Sequence, residues 1–391
     1  MQLQLMKTAT GIPNVAFVRH CAYSGIALYE AVMPGMPSCQ SLEGQLNGLS
    51  GLPKTKPGFE YYWPASANSA LASITKQMFS TTSTANMTAI ESLENALNTQ
   101  YKAEADGATV DRSISFGKAV AQKVFEFAQT DGYDHASDYY PLPTGAGLWV
   151  PTAPAFALAS TPYFGKMRIM VPGSGDNAQP AAPTTYSEDP SSGFYLMVKE
   201  LHDISQSLTL EQIETALYWR DIPGTTTPGH YVSILKQVLE KDKTMLDKAA
   251  IAYAQMGITV YDVSISCWQT KYAYNLVRPI TYIRTVLGHS TWSPVFATPA
   301  HPEYTAAHAV LSAAAADALG YVFGDNYSFT DHTYDYLGMQ PRSFASFRAF
   351  GEDAGISRLY GGIHYRPSII AGLIQGRQVA SNIRNKLNLS K

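Results

Sequence analysis

The chain has 391 residues, of which 46% are apolar and only 15% charged, with a net charge of −3. This length allows a large core in one domain or two, and the lack of any basic run excludes the electrostatic footprint of a nucleic-acid binder. No apolar run reaches the roughly 18–20 residues that a membrane-spanning helix needs, so no membrane span is expected.

The opening Met1–Lys7 lacks the basic start and long apolar centre of a signal peptide. Asn14 to Val32 carries apolar residues at helical spacing (Val15, Phe17, Val18, Cys21, Ile26, Leu28), and Pro34-Gly35 stops it. Residues 38–65 read as loop. Ser66–Phe79, Asn86–Ala103 and Val110–Ala128 read as helices. Residues 129–190 are rich in Pro, Gly, Thr and Tyr and show no sustained period. So long a stretch predicts ordered irregular structure or a connection between two halves. Helical patterns return at Gly193–Ser205, Leu210–Arg220, His230–Leu246, Ala249–Arg278, His301–Phe323, Ser343–Leu359 and Pro367–Leu387. The expectation is an all-α protein of two packed helical-bundle halves. The N-terminal half covers about 14–130, the irregular connection 131–189, and the C-terminal half 190–391. Cys21, Cys39 and Cys267 form no C-x-x-C pair; an oxidising compartment would allow Cys21 to pair with Cys39, but free, buried thiols are the expectation.

Chemistry concentrates in the last third. His301-Pro302-Glu303-Tyr304-Thr305-Ala306-Ala307-His308 places two histidines across a turn that opens a helix. Thr305 is the expected N-cap, which puts His308 in the first turn. The N–H groups of Ala306, Ala307 and His308 then lack intrahelical partners and form an anion site. Lys271 and Arg278, seven apart, are expected on one helix face with Trp268 and Asn275, and Pro279 ends that helix or opens the next. Arg358 is followed by Gly361-Gly362 and His364, so a sharp turn holds that histidine near the cation. There is no H-E-x-x-H and no other full ligand set, so no conventional metal-ion centre is expected. Two arginine forks, a lysine and a helix N-terminus together suit a tetrahedral oxyanion.

The order Lys-x6-Arg-Pro, helix-opening His, Arg-x5-His resembles the signature of the vanadium-dependent haloperoxidases. That family shares its fold and anion site with type 2 phosphatidic acid phosphatases and bacterial acid phosphatases. Trp268-x-x-Lys271, Trp219-x-Asp221-x-Pro223-Gly224, Pro228-Gly229-His230 and Ser357-Arg358 through His364-Tyr-Arg are similar to the haloperoxidase branch. The likeness covers most of residues 190–391 and extends weakly to residues 27–32.

The resemblance implies vanadate, or phosphate in the same site, bound by Lys271, Arg278 and Arg358. It makes His364 the vanadium ligand, or a phosphohistidine nucleophile, and His308 the acid–base partner. Asp221 is implied as an acidic neighbour that orients one of the cations, with Trp268 beside it in a supporting shell. Histidine at His301, rather than an aromatic residue, leans the expectation toward bromide or iodide. The expected reaction is peroxide-dependent halide oxidation. The alternatives are an acid phosphatase acting on a phosphate ester and a non-catalytic oxyanion-binding relative. Where the family usually has Ser-Gly, this chain has Ala306-Ala307, which predicts weakened activity. Ser368 stands where the family commonly has an acidic residue, so His364 is expected to lack a carboxylate that fixes its tautomer. The expected partners are small molecules, with room for a homo-oligomer. The family's habits imply export, with any signal peptide absent from this chain.

Overall fold

The computed structural model describes residues 1–222 and 225–389; Pro223 and Gly224 of the Trp219 motif lie outside them. The described chain is built from helices: α1 (Gln2–Thr8), α2 (Phe17–Val32), α3 (Trp63–Met78), α4 (Thr84–Glu104), α5 (Gly107–Ala128), α6 (Gly193–Ser205), α7 (Leu210–Tyr218), α8 (Thr227–Lys241), α9 (Leu246–Tyr274), α10 (Pro279–Thr285), α11 (Ala307–Phe323), α12 (Phe347–Tyr360) and α13 (Arg366–Lys386). Many begin where a side chain takes up an orphan N–H. Ser83, Asp106, Ser192 and Ser346 each accept from the third residue on, and Thr209 with Gln212 forms a full capping box.

Helix α9 organises the packing. Nearly all of it from Ala254 to Cys267 is buried, because α2 covers one side and α11 another. Helices α2, α3 and α5 pack together, and so do α11, α12 and α13. Close approach of α11 and α13 depends on missing side chains: a Cβ at Gly372 would meet the Ala306 carbonyl at 3.0 Å, and one at Gly376 would collide with that of Val310.

Residues 129–190 are ordered irregular structure, with short 3-10 turns at Tyr133–His135 and Phe164–Lys166. Backbone bonds pin the segment to the C-terminal half: Trp149 N–H to Asn275 O (2.6 Å), Val277 N–H to Gly147 O (2.9 Å) and Ser160 N–H to Ala300 O (2.7 Å). The buried Asp262 carboxylate on α9 accepts the N–H groups of Met170 and Val171 at 2.6 and 2.9 Å.

Several boundaries differ from the sequence expectation. The long helix stops at Tyr274, not Arg278, because Asn275 takes a left-handed backbone (φ 48°), a conformation asparagine tolerates. Arg278 is instead the residue before α10, whose first position is Pro279. Lys271 and Arg278 therefore do not share a helix face, and Asn275 bonds Tyr140 instead (2.7 Å). Helix α8 starts at Thr227, three residues before His230. The start of the expected helix from Ser343 belongs to a hairpin, β1 (Phe329–Asp331) with antiparallel β2 (Arg342–Phe344). That hairpin places Asp331 on buried His230 at 2.6 Å, and His230 stacks on Trp219. The three cysteines are free and buried. Among the described residues no helix is long and apolar enough to cross a membrane.

Candidate active site

The loop before α11 is held from four sides. Lys271, wholly buried on α9, gives its ammonium protons to the carbonyls of Pro302 (2.9 Å), Glu303 (3.1 Å) and Thr305 (2.6 Å). Glu303 N–H donates to Leu276 O, and the Thr305 hydroxyl donates to Gln375 Oε1 at 2.7 Å. Thr305 is therefore not the N-cap; that position is Ala306, without a side-chain cap. The Ala306 N–H is also taken, by Ser368 O at 3.2 Å. Of the three amides expected to face an anion, Ala307 and His308 remain at the helix opening, since the first intrahelical bond runs from Val310 to Ala306.

Arg278 links this loop to the turn after α12. Its Nε donates to His301 O (2.8 Å) and one terminal nitrogen to Ile363 O (2.9 Å). The same fork reaches two imidazoles, His364 Nε2 at 3.1 Å and His301 Nδ1 at 3.0 Å. Arg358 is held more loosely: Nε to Ser357 Oγ (3.0 Å), and terminal nitrogens 3.4 Å from Ala216 O and 3.5 Å from His308 Nε2. Burial pulls both guanidiniums down to about 10, so both stay charged near neutrality. Lys271 is pulled down as well, mainly by burial. Its protons already serve carbonyls, so in this conformation it staples the loop instead of presenting a free donor to an anion.

All three site histidines are neutral near pH 7. Burial and then Arg358 push His308 down to about 3, against Asp221 and a backbone bond at Trp219. Burial, Arg278 and Lys271 hold His364 well below its ordinary value; for His301 the causes are burial, then Lys271 and Arg278. The neighbours set the tautomers. His364 Nδ1 faces Glu303 Oε1 at 2.9 Å and must carry the proton. Its Nε2 faces an arginine N–H and must present its lone pair.

Glu303 corrects the expectation that His364 lacks a carboxylate. It is fully buried, and accepts from the Tyr365 N–H (3.0 Å) and the Ser368 hydroxyl (2.6 Å) as well as from His364. Burial raises its carboxyl, while Ser368, Arg278 and Lys271 oppose the rise. Asp221 also differs from expectation: it accepts from the N–H and hydroxyl of Thr227 (2.7 and 2.9 Å) and lies 3.8 Å from His308 Nε2. The Thr227 hydroxyl is 3.0 Å from that same nitrogen. Asp221 therefore makes its direct contacts to Thr227 and His308, and acts on the expected cation, Arg358, through charge alone. Sequence reasoning missed Thr227 because the helix was begun too late. It missed Glu303 although an acid two residues after His301 was in view.

His301, His308, His364, Trp268, Ala307 and Asp221 line one cavity of about 270 Å³. Trp268 Nε1 is buried there without a partner among the described residues. Arg278 and Arg358 do not line it but reach the Nε2 atoms of His364 and His308, while Ala306 is wholly buried. A larger and more apolar cavity of about 490 Å³, bordered by α1, α3, α4 and α8, contains none of these groups. Near pH 7 the neutral imidazoles leave two guanidiniums against Asp221, while burial pushes Lys271 down and Glu303 up so that the pair adds little net charge, and the positive excess suits an anion.

A helical protein with one short hairpin, whose cavity is lined by an imidazole and a helix N-terminus with arginine forks on the histidines beside it, has the features that suit an oxyanion. Comparison with known proteins makes this particular. Residues 251–389 match the family model described as the VCPO second helical-bundle domain. The crystal structure of a bacterial vanadium-dependent iodoperoxidase is 33% identical, with TM-score 0.89, over 100% of this chain and 96% of that one. The holo and apo forms of a bacterial vanadium-dependent chloroperoxidase, each 15% identical, share the fold with TM-scores of 0.74 and 0.71. They cover 97% and 95% of this chain, and 93% and 92% of theirs. No curated protein matches. The chain belongs to the vanadium-dependent haloperoxidase family, and that membership implies a vanadate cofactor.

The residues fit vanadate. His364 offers an unprotonated Nε2 with its other nitrogen anchored, and Arg278 already points an N–H at the place where an oxyanion would meet that ring. His364 would be the ligand, Arg278 and Arg358 the charge partners, and the amides of Ala307 and His308 the neutral donors.

Proposed function

We propose that this protein is a vanadate-dependent haloperoxidase that oxidises iodide or bromide with hydrogen peroxide. The observation that carries the reading is His364, its lone pair directed by Glu303 on one side and met by Arg278 on the other, across a cavity from neutral His308. The 33% identical relative is an iodoperoxidase, which favours iodide. Bound vanadate supplies Lewis-acid activation of peroxide without changing its own oxidation state. The chain supplies the rest. Arg278 and Arg358 balance the anion's charge. His308 Nε2, neutral at working pH, accepts the proton that hydrogen peroxide gives up. The Thr227 hydroxyl and Asp221 stabilise the resulting imidazolium. Trp268 and His301 form the wall that the halide meets. The sum is peroxide, halide and a proton giving hypohalous acid and water. Ala306 offers no hydroxyl to the oxyanion, and one lost donor lowers the rate by roughly 10²–10³, so turnover is slow.

The test is peroxide-dependent iodide oxidation by metal-stripped protein, with and without orthovanadate. Activity is expected only with vanadate and is lost in His364→Ala. Hydrolysis of a chromogenic phosphomonoester with no halide oxidation would overturn this reading and favour a phosphohistidine enzyme. Vanadate binding with neither turnover would identify a non-catalytic relative.

A further inference from the structure

Glu303 lies outside the cavity wall, yet it is the most heavily engaged carboxylate near the site. Its backbone N–H is fixed to Leu276 and its carbonyl to Lys271, so the residue cannot shift along the loop. One carboxylate oxygen receives His364 Nδ1 and the Tyr365 amide; the other receives the Ser368 hydroxyl. Ser368 lies in the first turn of α13, and its carbonyl takes the Ala306 N–H. Glu303 and Ser368 thus join the loop before α11 to the start of α13, with His364 between.

In the anion-free geometry two groups specify the His364 tautomer. Glu303 requires a proton on Nδ1, and Arg278 requires a lone pair on Nε2. With an oxyanion at Nε2, the Arg278 N–H would be free to donate to it instead of to the ring. Arg278 would then no longer specify the ring, and until a bond to Nε2 forms Glu303 is the group that keeps the proton on Nδ1 and the Nε2 lone pair free. A partner on the second nitrogen of a ligating histidine fixes its orientation and raises its basicity, commonly worth 10–100-fold in metal affinity.

We propose that Glu303, held by Ser368, is the positioning residue that keeps His364 a competent vanadium ligand once the oxyanion has engaged Arg278. This deepens the haloperoxidase reading and rests on His364 being the ligand. It also separates two anions of similar shape and charge. Vanadate would bond the imidazole nitrogen, so its affinity would depend on Glu303. Phosphate held by charge and hydrogen bonds does not, and it should gain slightly when a nearby negative charge is removed.

The experiment measures dissociation constants for orthovanadate and for inorganic phosphate with full-length wild type, Glu303→Gln, Glu303→Ala and Ser368→Ala. Glu303→Ala is expected to weaken vanadate binding by about 10–100-fold, while phosphate binding stays within twofold or tightens. Glu303→Gln keeps an acceptor for Nδ1 but not the charge, and Ser368→Ala keeps the carboxylate but loosens it; both should fall between, with the same selectivity. Equal weakening of both anions would mean collapse of the site, and unchanged or tighter vanadate binding would mean that Glu303 acts only as a charge. Either overturns the proposal. Should Glu303→Ala fail to fold, the nearly isosteric Glu303→Gln decides. Nitrogen-15 spectra of His364 with phosphate bound test the proposal separately from the haloperoxidase reading. Wild type is expected to show Nδ1 protonated and Glu303→Ala a mixture; identical spectra would overturn the proposal. Wild type that binds phosphate but not vanadate would sink the haloperoxidase reading and leave the spectra to judge Glu303.

Discussion

Arg278→Lys keeps the charge and removes the fork. Arg278 is fully buried and makes four contacts of 2.8–3.1 Å, to His301 O, Ile363 O, His301 Nδ1 and His364 Nε2. These acceptors lie on two separate segments. A lysine ammonium donates from one point and can hold at most about half of them. Charge-assisted bonds to buried acceptors are each worth about 1.5–3 kcal/mol, so losing two costs about 3–6 kcal/mol before relaxation. The loss divides between the joint linking the two segments and the anion site. Vanadate affinity should fall about 100-fold, equivalent to about 2.7 kcal/mol, with a drop of several degrees in melting temperature. Arg358→Lys is the control: two of its three contacts are 3.4–3.5 Å, too long for strong bonds. It should lose anion affinity with little change in melting temperature. Vanadate titration and thermal unfolding of both variants test this. An Arg278→Lys protein with affinity within threefold of wild type and an unchanged melting temperature would refute the argument.

His308 stays neutral in the folded protein down to about pH 3, whereas in the unfolded chain it protonates below about 6.5. The unfolded state then binds the extra proton, so the stability linked to this group is full above 6.5 and is lost as pH falls toward 3, by up to about 1.4 kcal/mol per unit. The stability advantage of wild type over His308→Gln should therefore shrink between pH 7 and 5 in thermal unfolding scans; a constant difference would contradict the depressed imidazole. Ala306→Ser restores a hydroxyl at the start of α11 and should raise vanadate-dependent iodide oxidation at least tenfold; an unchanged rate would show that the missing hydroxyl does not limit turnover. Thr227→Val removes the group between Asp221 and His308 and should lower kcat about tenfold while leaving vanadate affinity unchanged. Gly376→Ala drives a methyl into the Val310 carbonyl where α11 crosses α13 and should cost about 1–3 kcal/mol, read as a lower melting temperature.

Residues that act through local chemistry were legible in the sequence. Helical spacing exposed the long helices, and the ordered trio of Arg278, His308 and Arg358-x5-His364 marked residues that the fold brings together, because a helix-opening histidine and a Gly-Gly turn are set by neighbours in the chain. Lys271 was seen as a cation, but its carbonyl partners lie 31 to 34 residues away. Its spacing to Arg278 suggested one helix face until the left-handed Asn275 broke the helix. Thr305 looked like a cap for α11, but its hydroxyl finds Gln375, 70 residues on.

By itself, the sequence determined the helical architecture, which follows from periodicity, and the ordered motifs whose resemblance to a known family marked the histidines and arginines as candidates. Only the tertiary structure decided which partner each buried polar atom meets. Glu303 reaches His364 across 61 residues and Thr227 reaches His308 across 81. Such pairings leave no local pattern, because they arise when packing removes water from a buried donor or acceptor and one facing group satisfies it.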